Sequence, residues 1–450
     1  MAHSALGLAI VAVVVLADGS MAAAVSLPRP SDLGLQGTLT YKNYSQFQDV
    51  ADDGNFVNQG ILEIDWHRAF FDRRVRVKIV PEFRIDDANY AKGVHFVVPD
   101  TREHRSIIDL KEGTVLLRIG SVRFGLGKQF ESWGTADAYN PTDNVNPYDY
   151  LDPIDNFKMG VYSATTAFSL LGVNVDFVVV PPFTPSRLPF QNGRWGTVVI
   201  QGVSAPSVPP SAPGIDVGQI RTVFDVPGTD VDNMQYALRM KTTYHGWDFA
   251  LSYYNGIQDT PDVDDRTTTL ASLAATGTIR LFNPHVQIPG FAFSTTWDRF
   301  EFHGEAVSIF GSSHGRPDRF QGIIGLNYTW DITDWKWLDQ VLFMLEYARE
   351  EEYTSSGSAF VDFGSLSNAF RNAPAARTRL KFNEETQFSV FSTVDLTKSA
   401  NYFAKLELEH EFTDALHLTT GFDLFDGDTD TFWGRWADND RFYAFLRYYF

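Results

Sequence analysis

The sequence predicts an all-β fold, a transmembrane antiparallel β-barrel of about 18 strands, with 16 as the alternative count. Three observations predict it. Apolar and ionic residues alternate with period two along most of the chain, the connections alternate between short and long, and the last segment is an aromatic-rich strand ending at Phe450. Composition agrees. The 450 residues carry 37 Lys and Arg against 56 Asp and Glu, a net charge of −19, with 14% aromatic residues and no Cys. Zero Cys excludes disulfides, thiolate metal sites, iron–sulfur clusters and covalently attached haem. An acidic balance argues against nucleic acid as a partner, because neutralising phosphates requires a basic face.

The first segment reads as an address. Ala5 to Ala17 is apolar and Asp18 ends the run, which is shorter than the ~20 residues a membrane-crossing helix needs. Small residues Ala22-Ala23-Ala24 follow, so residues 1–24 are expected to be a cleaved secretory signal and 25–450 the barrel, although Met-Ala-His-Ser lacks the usual basic residue. No later run is long and apolar enough to be a transmembrane helix.

The strands follow. In Leu33 to Lys42, Leu33, Leu35, Leu39 and Tyr41 oppose Gln36, Thr38, Thr40 and Lys42. In the next clear example Val75, Val77, Ile79, Phe83 and Ile85 alternate with Arg74, Arg76, Lys78, Glu82, Arg84 and Asp86. Successive side chains of a strand point to opposite faces, so each segment has one apolar and one ionic face. The period recurs in Tyr236–Tyr244, where Arg239 and Lys241 share the polar side, in Trp247–Tyr254, and in Ala404–Phe412, where Lys405, Glu407, Glu409 and Glu411 share it. Many such strands fit lipid outside and water inside better than a soluble sandwich.

Connections supply the second observation. Short ones fall at Gly120-Ser121, His245-Gly246, Trp297-Asp298 and Thr413-Asp414-Ala415, and long ones around 134–158, 183–232, 257–283 and 425–440. Bacterial outer-membrane barrels have short periplasmic turns and long extracellular loops. The Pro-rich stretch Pro206–Pro213 lies inside the longest excursion. Counting back from the C-terminus puts 349–384 on the wrong side unless another strand lies within it. Ala376-Arg377-Thr378-Arg379-Leu380-Lys381-Phe382 supplies that strand, Asn383-Glu384-Glu385 its turn, and the count becomes an even 18. Tyr41, Trp66, Trp133, Tyr253, Trp330, Tyr347 and Tyr448 fall near strand ends, where amphipathic rings favour the headgroup layer. The closing alternation of Phe442, Ala444, Leu446, Tyr448 and Phe450 resembles the assembly signal read by the barrel-assembly machinery, with Tyr448 and Phe450 its final pair.

Several blocks, in order, resemble a proteobacterial porin-like outer-membrane β-barrel family that carries a domain-of-unknown-function label. They are Val80-Pro81-Glu82-Phe83-Arg84, Gly127-Lys128-Gln129 through Trp133-Gly134 to Asn146-Pro147, Arg187-Leu188-Pro189, Gly246-Trp247-Asp248-Phe249 to Ser252-Tyr253-Tyr254, and Asp438-Asn439-Asp440-Arg441. Residues 190–232 and 349–375 lie outside the resemblance. It implies a large barrel with porin-like behaviour and supplies no substrate.

Alternation places a set of charges in the lumen. Arg74, Arg76, Lys78 and Arg84, with Glu82 and Asp86 at the loop end, form one ladder; Arg377, Arg379 and Lys381 a second; Arg239 and Lys241 a third; Arg441 and Arg447 a fourth. Glu301, Glu305, Glu346, Glu407 and Glu409 supply opposing acids. Facing charge of opposite sign can set a transverse field that selects ions; equally, lateral pairing can hold a water-filled barrel in shape. Trp133–Asp155, with its Pro, Asn and five Asp, is the candidate for a loop that folds inward and constricts the pore.

The other acidic clusters, Asp259 to Asp265, Glu350 to Glu352 and Asp426 to Asp440, sit in loops. They read as solvated, as bridged by divalent ions to lipopolysaccharide phosphate, or as oxygen ligands for calcium. No cofactor or metal site is expected, and the expected partners are outer-membrane lipid and lipopolysaccharide, the assembly machinery and small solutes. Gly127-Lys128-Gln129-Phe130 lacks the phosphate-loop spacing and no His-Glu-x-x-His occurs, so the chain is read as non-enzymatic, with a rim hydrolase assembled from distant strands as the remaining enzymatic arrangement. His67 and His303 point lumenward by parity. Together these features predict a channel for passive diffusion of small solutes in a bacterial outer membrane, anionic if the basic arcs dominate at a constriction. The alternative is a barrel sheath or export conduit around a periplasmic partner or secreted polymer.

Overall fold

The computed structural model describes residues 34–50, 54–95, 98–190, 193–196, 221–263, 278–311, 318–353, 369–397, 399–429 and 431–450. The expected signal segment lies outside the described residues. Eighteen antiparallel strands form one sheet. They are β1 (Leu35–Gln46), β2 (Phe56–Phe70), β3 (Val75–Asp86), β4 (Ile108–Ile119), β5 (Val122–Gln129) and β6 (Val161–Leu170). The middle third is β7 (Val173–Val180), β8 (Gln235–Tyr244), β9 (Trp247–Ile257), β10 (His285–Trp297), β11 (Phe300–Gly311) and β12 (Arg319–Asp331). The last third is β13 (Gln340–Glu352), β14 (Asn372–Lys381), β15 (Thr386–Asp395), β16 (Asn401–Thr413), β17 (Leu416–Asp426) and β18 (Arg441–Tyr449).

Each strand pairs with its sequence neighbour, and β18 returns to β1 in the register Thr38↔Tyr449 to Gln46↔Arg441. The seam ends in reciprocal backbone bonds, Gly37 N–H to Phe450 O at 2.9 Å and Phe450 N–H to Gly37 O at 3.1 Å. Closure removes the unpaired edge that an open sheet would expose, which hydrocarbon tolerates even less than water. The strand expected from Ala376 to Phe382 is β14, and Phe382–Glu385 is the turn that follows it.

The two ends of the barrel differ as the sequence predicts. At one end the strands join through turns as short as Leu171-Gly172 and His245-Gly246. Both of these turns hold both central residues at positive φ, 52° and 82° in the first and 49° and 82° in the second. That is the conformation that matches the strand twist of a two-residue hairpin. At the other end lie the longest connections, and one of them, residues 130–160, folds back into the mouth.

The faces of the wall also separate. Ile79, Phe83 and Ile85 of β3, Val115, Leu117 and Ile119 of β4, and Phe343, Leu345 and Tyr347 of β13 stand exposed on the outside. The lumen side is not uniformly ionic. From β6 to β11 the inward positions toward the long-loop end are apolar, and Val161, Val178, Val180, Ala237, Ile288, Val307 and Ile309 pack with Trp133 and Val145 of the β5–β6 loop. A second apolar cluster joins Phe403 and Phe425 of the wall to Trp195, Phe432, Trp433 and Trp436 of loops. The hydrophobic core therefore sits inside the mouth, between loops and wall. Trp133 departs from the expected interfacial ring: it is 3% exposed and lies within the lumen, because its loop turns inward.

Gly421 on β17 shows how tightly the wall is fitted. It lies between Glu407 and Tyr443 in register, and the Tyr443 hydroxyl crosses it to donate to Glu407 at 2.8 Å. A Cβ on Gly421 would sit 2.1 Å from the Leu406 carbonyl and 2.6 Å from the Tyr443 hydroxyl. Gly421→Val should lower barrel stability by about 1–3 kcal/mol, the usual range for overpacking. A downward shift of the unfolding midpoint in detergent checks this, and an unchanged midpoint would refute the fit described.

Candidate pore constriction

The β5–β6 connection, residues 130–160, determines the shape of the lumen. Its neck is tied by Asn146, whose side-chain amide donates to Gln129 O at 3.2 Å and Met159 O at 2.8 Å while its oxygen accepts from Glu131 N–H at 2.7 Å. From there the loop touches lumen-facing groups on opposite parts of the wall. Toward β11–β13, Glu305 accepts from the backbone N–H of Thr135, of Ala136 at 2.9 Å and of Thr142 at 3.1 Å, and from the Thr142 hydroxyl at 2.7 Å. Glu346 accepts from Asp137 N–H at 2.7 Å and Ala138 N–H at 2.8 Å, and pairs with His303 Nε2 at 2.7 Å. Asn327 holds the Asp137 carboxylate at 2.9 Å. Toward the seam, Asp152 meets Arg441 of β18, and Asp155 meets Lys42 and Tyr44 of β1. A segment bonded to β1, β11, β13 and β18 of a closed barrel must cross its interior.

The local chemistry explains why the loop holds this path. Glu305 and Glu346 are 3% and 1% exposed, so their charge is stabilised by converging N–H donors rather than by water. Gly134 has φ +105°, and a Cβ there would meet Asn140 Oδ1 at 2.3 Å and Glu305 Oε1 at 2.7 Å. Only glycine allows the loop to approach that carboxylate so closely. Deeper in the loop, Asp149 is gripped by Arg105 through two bonds of 3.0 and 2.8 Å and by Arg187. Burial pushes the Asp149 carboxyl up, but the two guanidinium groups overcome it and hold it well below the usual carboxylate range. Glu131 behaves oppositely. Burial pushes it up to about 7, with Arg239 opposing and Asp176 and Asp143 adding to the rise.

Asp137, His303 and Glu346 bring potential metal-ligand atoms within 4.8 Å of one another. Both Glu346 oxygens already accept N–H groups and the Asp137 carboxylate is held by Asn327. The trio acts as a latch for the loop.

The charges singled out in the sequence separate into three groups. Some are paired: Arg84 with Glu82, both buried, Lys78 with Glu112 at 2.7 Å, and Arg239 with Asp176 at 2.9 Å. Arg441 joins Asp152 and Asp423, at 1% exposure. Others are used by loops: Glu305 holds the constriction, and Asp86 accepts from Tyr90 N–H at 2.8 Å and Ala91 N–H at 2.7 Å. The rest have no ion pair among the described residues. These are Arg74, which lies in the β2–β3 turn, Arg76, Lys241, Glu301, Arg377, Arg379, Lys381 and Arg447, the last donating to the Tyr449 hydroxyl at 3.3 Å. At the seam Tyr448 and Phe450 stack at 6.3 Å between ring centres.

Between the loop and β14–β16 remains a chamber of about 620 Å³, bordered by Tyr139 and Tyr150 of the loop and by Arg377, Arg379, Phe391, Lys405 and Glu407 of the wall. Sequence reasoning did not foresee Glu346 and Glu305 as loop anchors, nor Asp149, Asp152 and Asp155 as a row of ties. The even three-residue spacing of those Asp residues was the available signal.

No family model and no curated protein matches the chain, so the family label suggested by the sequence blocks rests on those blocks alone. Among solved structures the chain is similar to OccK11 (OpdR) of Pseudomonas aeruginosa, at 9% identity and a TM-score of 0.49, covering 92% of this chain and 94% of that one. It is similar to Wzi of Escherichia coli, described as an outer-membrane carbohydrate-binding β-barrel involved in group 1 capsule assembly, at 9% identity and a TM-score of 0.48, covering 92% and 84%. A triple mutant of Rhodopseudomonas blastica porin matches at 11% identity and a TM-score of 0.41, covering 92% and 99%.

Two measurements test the latch. Replacing both anchors, Glu305→Ala with Glu346→Ala, should release residues 135–142 from the wall and raise single-channel conductance while the barrel still folds; an unchanged conductance would show that this part of the loop does not limit the pore. The raised Glu131 carboxyl predicts a pH effect. The docked loop binds more protons than a freed one between the ordinary Glu range and about 7, so docking weakens as pH rises through that window. Asp143, raised by burial against Lys158, acts in the same direction. Conductance flicker should therefore increase from about pH 5 to about pH 8, and Glu131→Gln should flatten most of that increase.

Proposed function

We propose that this chain is a bacterial outer-membrane channel that passes small anionic solutes by diffusion. The observation that carries the reading is the state of the charges at the constriction. Arg377 and Arg379 border the chamber with no carboxylate in ion-pair reach among the described residues, whereas Arg84, Arg239 and Arg441 are neutralised by acids. Charge that is already paired adds little field to a pore, and unpaired charge in a narrow, low-dielectric passage raises the local concentration of the opposite ion.

Three features support the membrane setting: closure into an 18-strand barrel, an apolar outer face, and the longest connections gathered at one end. Strands of this kind are stable in lipid because every backbone polar group pairs within the wall. The loop crossing also bears on the sheath alternative. A latched loop across the lumen, with a chamber of about 620 Å³ beside it, supports a small solute over a folded partner.

Planar bilayers with a salt gradient test the proposal. The protein should give stepwise currents with a reversal potential on the anion-selective side. A screened contribution of ~1 kcal/mol per unpaired charge corresponds to roughly a fivefold change in ion preference, so Arg377→Gln or Arg379→Gln alone should cut the chloride-to-potassium permeability ratio by about that factor, and the two together by roughly 25-fold. No current from the purified barrel, or a ratio indifferent to both substitutions, would overturn the reading.

A further inference from the structure

We propose that the β2–β3 hairpin carries, at its turn end, a binding site for the headgroup of an anionic phospholipid. The inference rests on the outer-membrane reading and concerns the outer face of the wall, away from the lumenal chamber. Three observations lead to it.

The first is a charge where the wall is otherwise apolar. Arg68 shares a face with Trp66 and Phe70, and in register the three stand opposite Val77, Ile79 and Val75 of β3, of which Ile79 is exposed on the outside. Among the described strands Arg68 is the only Lys, Arg, Asp or Glu at an outward position in the turn-end half of the barrel. Elsewhere that level carries neutral rings, with Tyr244, Trp247, Trp297 and Trp330 exposed. Such rings suit the headgroup layer. A guanidinium at the same height meets lipid phosphate, to which its planar fork offers two parallel bonds.

The second is the sign of the surrounding charge. Residues 66–76 and 116–124 contain Arg68, Arg73, Arg74, Arg76, Arg118 and Arg123 against one acid, Asp72. All six arginines are exposed, and none has an ion pair among the described residues. A choline headgroup brings a cation along with its phosphate, and this arc has no carboxylate beyond Asp72 to receive it. A glycerol headgroup brings the phosphate without the cation, so the arc favours the anionic lipid.

The third is apolar surface beside those charges. Phe71 is 77% exposed in the β2–β3 turn, Leu171 is 96% exposed in the β6–β7 turn, and Ile119 is exposed at the end of β4 between them. Apolar side chains interspersed with cations are what hold a surface at an anionic membrane. The β2–β3 turn is also fixed in place, because Arg118 N–H donates to Arg74 O at 2.8 Å and ties it to β4. Arg73 is thereby presented on a set turn, next to the end of β2 that carries Arg68. An acidic soluble protein could approach Arg73, but Arg68 stands on the lipid-facing wall, so lipid is the occupant that this placement favours.

The test is competitive lipid retention by the purified full chain in detergent, counted by native mass spectrometry, with dioleoylphosphatidylglycerol and dioleoylphosphatidylcholine supplied in equal amounts. At about a fivefold contribution per arginine, the glycerol lipid should be preferred about 25-fold. Arg68→Gln or Arg73→Gln should each lower that preference about fivefold, and the two together should abolish it. Arg73→Gln alone serves should the Arg68 variant fail to fold. Lys336→Gln removes the same charge from the β12–β13 turn and should change nothing. Equal retention of the two lipids, or a preference no more sensitive to the arginine variants than to Lys336→Gln, would overturn the proposal. Displacement of the lipid by millimolar inorganic phosphate would mark a free-phosphate site, and hexaglutamate binding more tightly than the lipid would mark an acidic protein partner; either result overturns it too. Conductance separates this inference from the channel reading. Stepwise currents from a barrel without lipid preference would leave the channel and remove the site, whereas lipid preference in a barrel that never conducts would leave the site and remove the channel.

Discussion

A polypeptide loop placed inside a barrel has to find partners for its own peptide groups, and that requirement organises this lumen. Water would satisfy them in an open pore, but then nothing would fix the loop. Here Glu305 and Glu346, on inward positions of β11 and β13 with β12 between them, each collect backbone N–H groups from residues 135–142. A buried carboxylate is stable only with such donors, and the donors are stable only with an acceptor, so each side fixes the other. The pairing is long-range, between segments more than 160 residues apart, and it ties the width of the pore to closure of the whole wall.

The same constraint sorts the charges. Where a loop or neighbouring strand supplies an acid, the lumenal arginines become structural: Arg105 and Arg187 hold Asp149, and Arg441 bridges Asp152 of the loop to Asp423 of β17. Removing one member of such a buried pair would leave the other uncompensated, which costs more than the pair itself contributes. Arg377 and Arg379 have no such duty. Their strand, β14, faces the part of the loop that carries aromatic residues, with Tyr139 and Tyr150 bordering the shared space. The lumen thus divides into a region whose charges are paired and give shape, and a face on β14 whose arginines have no ion pair among the described residues.

The fold was legible because a barrel wall is a repeated local pattern. Period two in Val75–Ile85 and Phe442–Phe450, the turn residues at His245-Gly246, and the parity that demanded a strand at 376–382 each required only neighbours in sequence. The inward path of Trp133–Asp155 was also readable, since Pro141, Pro147 and the Asn and Asp residues between them disfavour a continued strand. The partners of that loop were not. Whether Arg84 is a pore charge or half of a buried pair depends on Glu82, two residues away on the same face. Whether Glu305 lines water or holds a loop depends on Thr135 and Thr142, which no local pattern connects to it. Trp133 was misplaced for the same reason: an aromatic near a strand end suits the headgroup layer equally well, until the loop it belongs to turns inside.

Apolar residues on the inward face of β6–β11 make the final connection between wall and loop. A water-filled pore has no use for Val178, Val180, Ala237, Ile288, Val307 and Ile309 on its lumen side. They are stable there because Trp133 and Val145 cover them, at roughly 25 cal/mol per Å² of surface removed from water. The loop is therefore held by two kinds of force on two arcs of the wall, hydrophobic contact over β6–β11 and charge over β11–β13 and the seam. Neither arc includes β14 or β15, which present Arg377, Arg379 and Phe391 to the remaining space. The chamber lies on that side of the barrel because it is the side the loop does not fill.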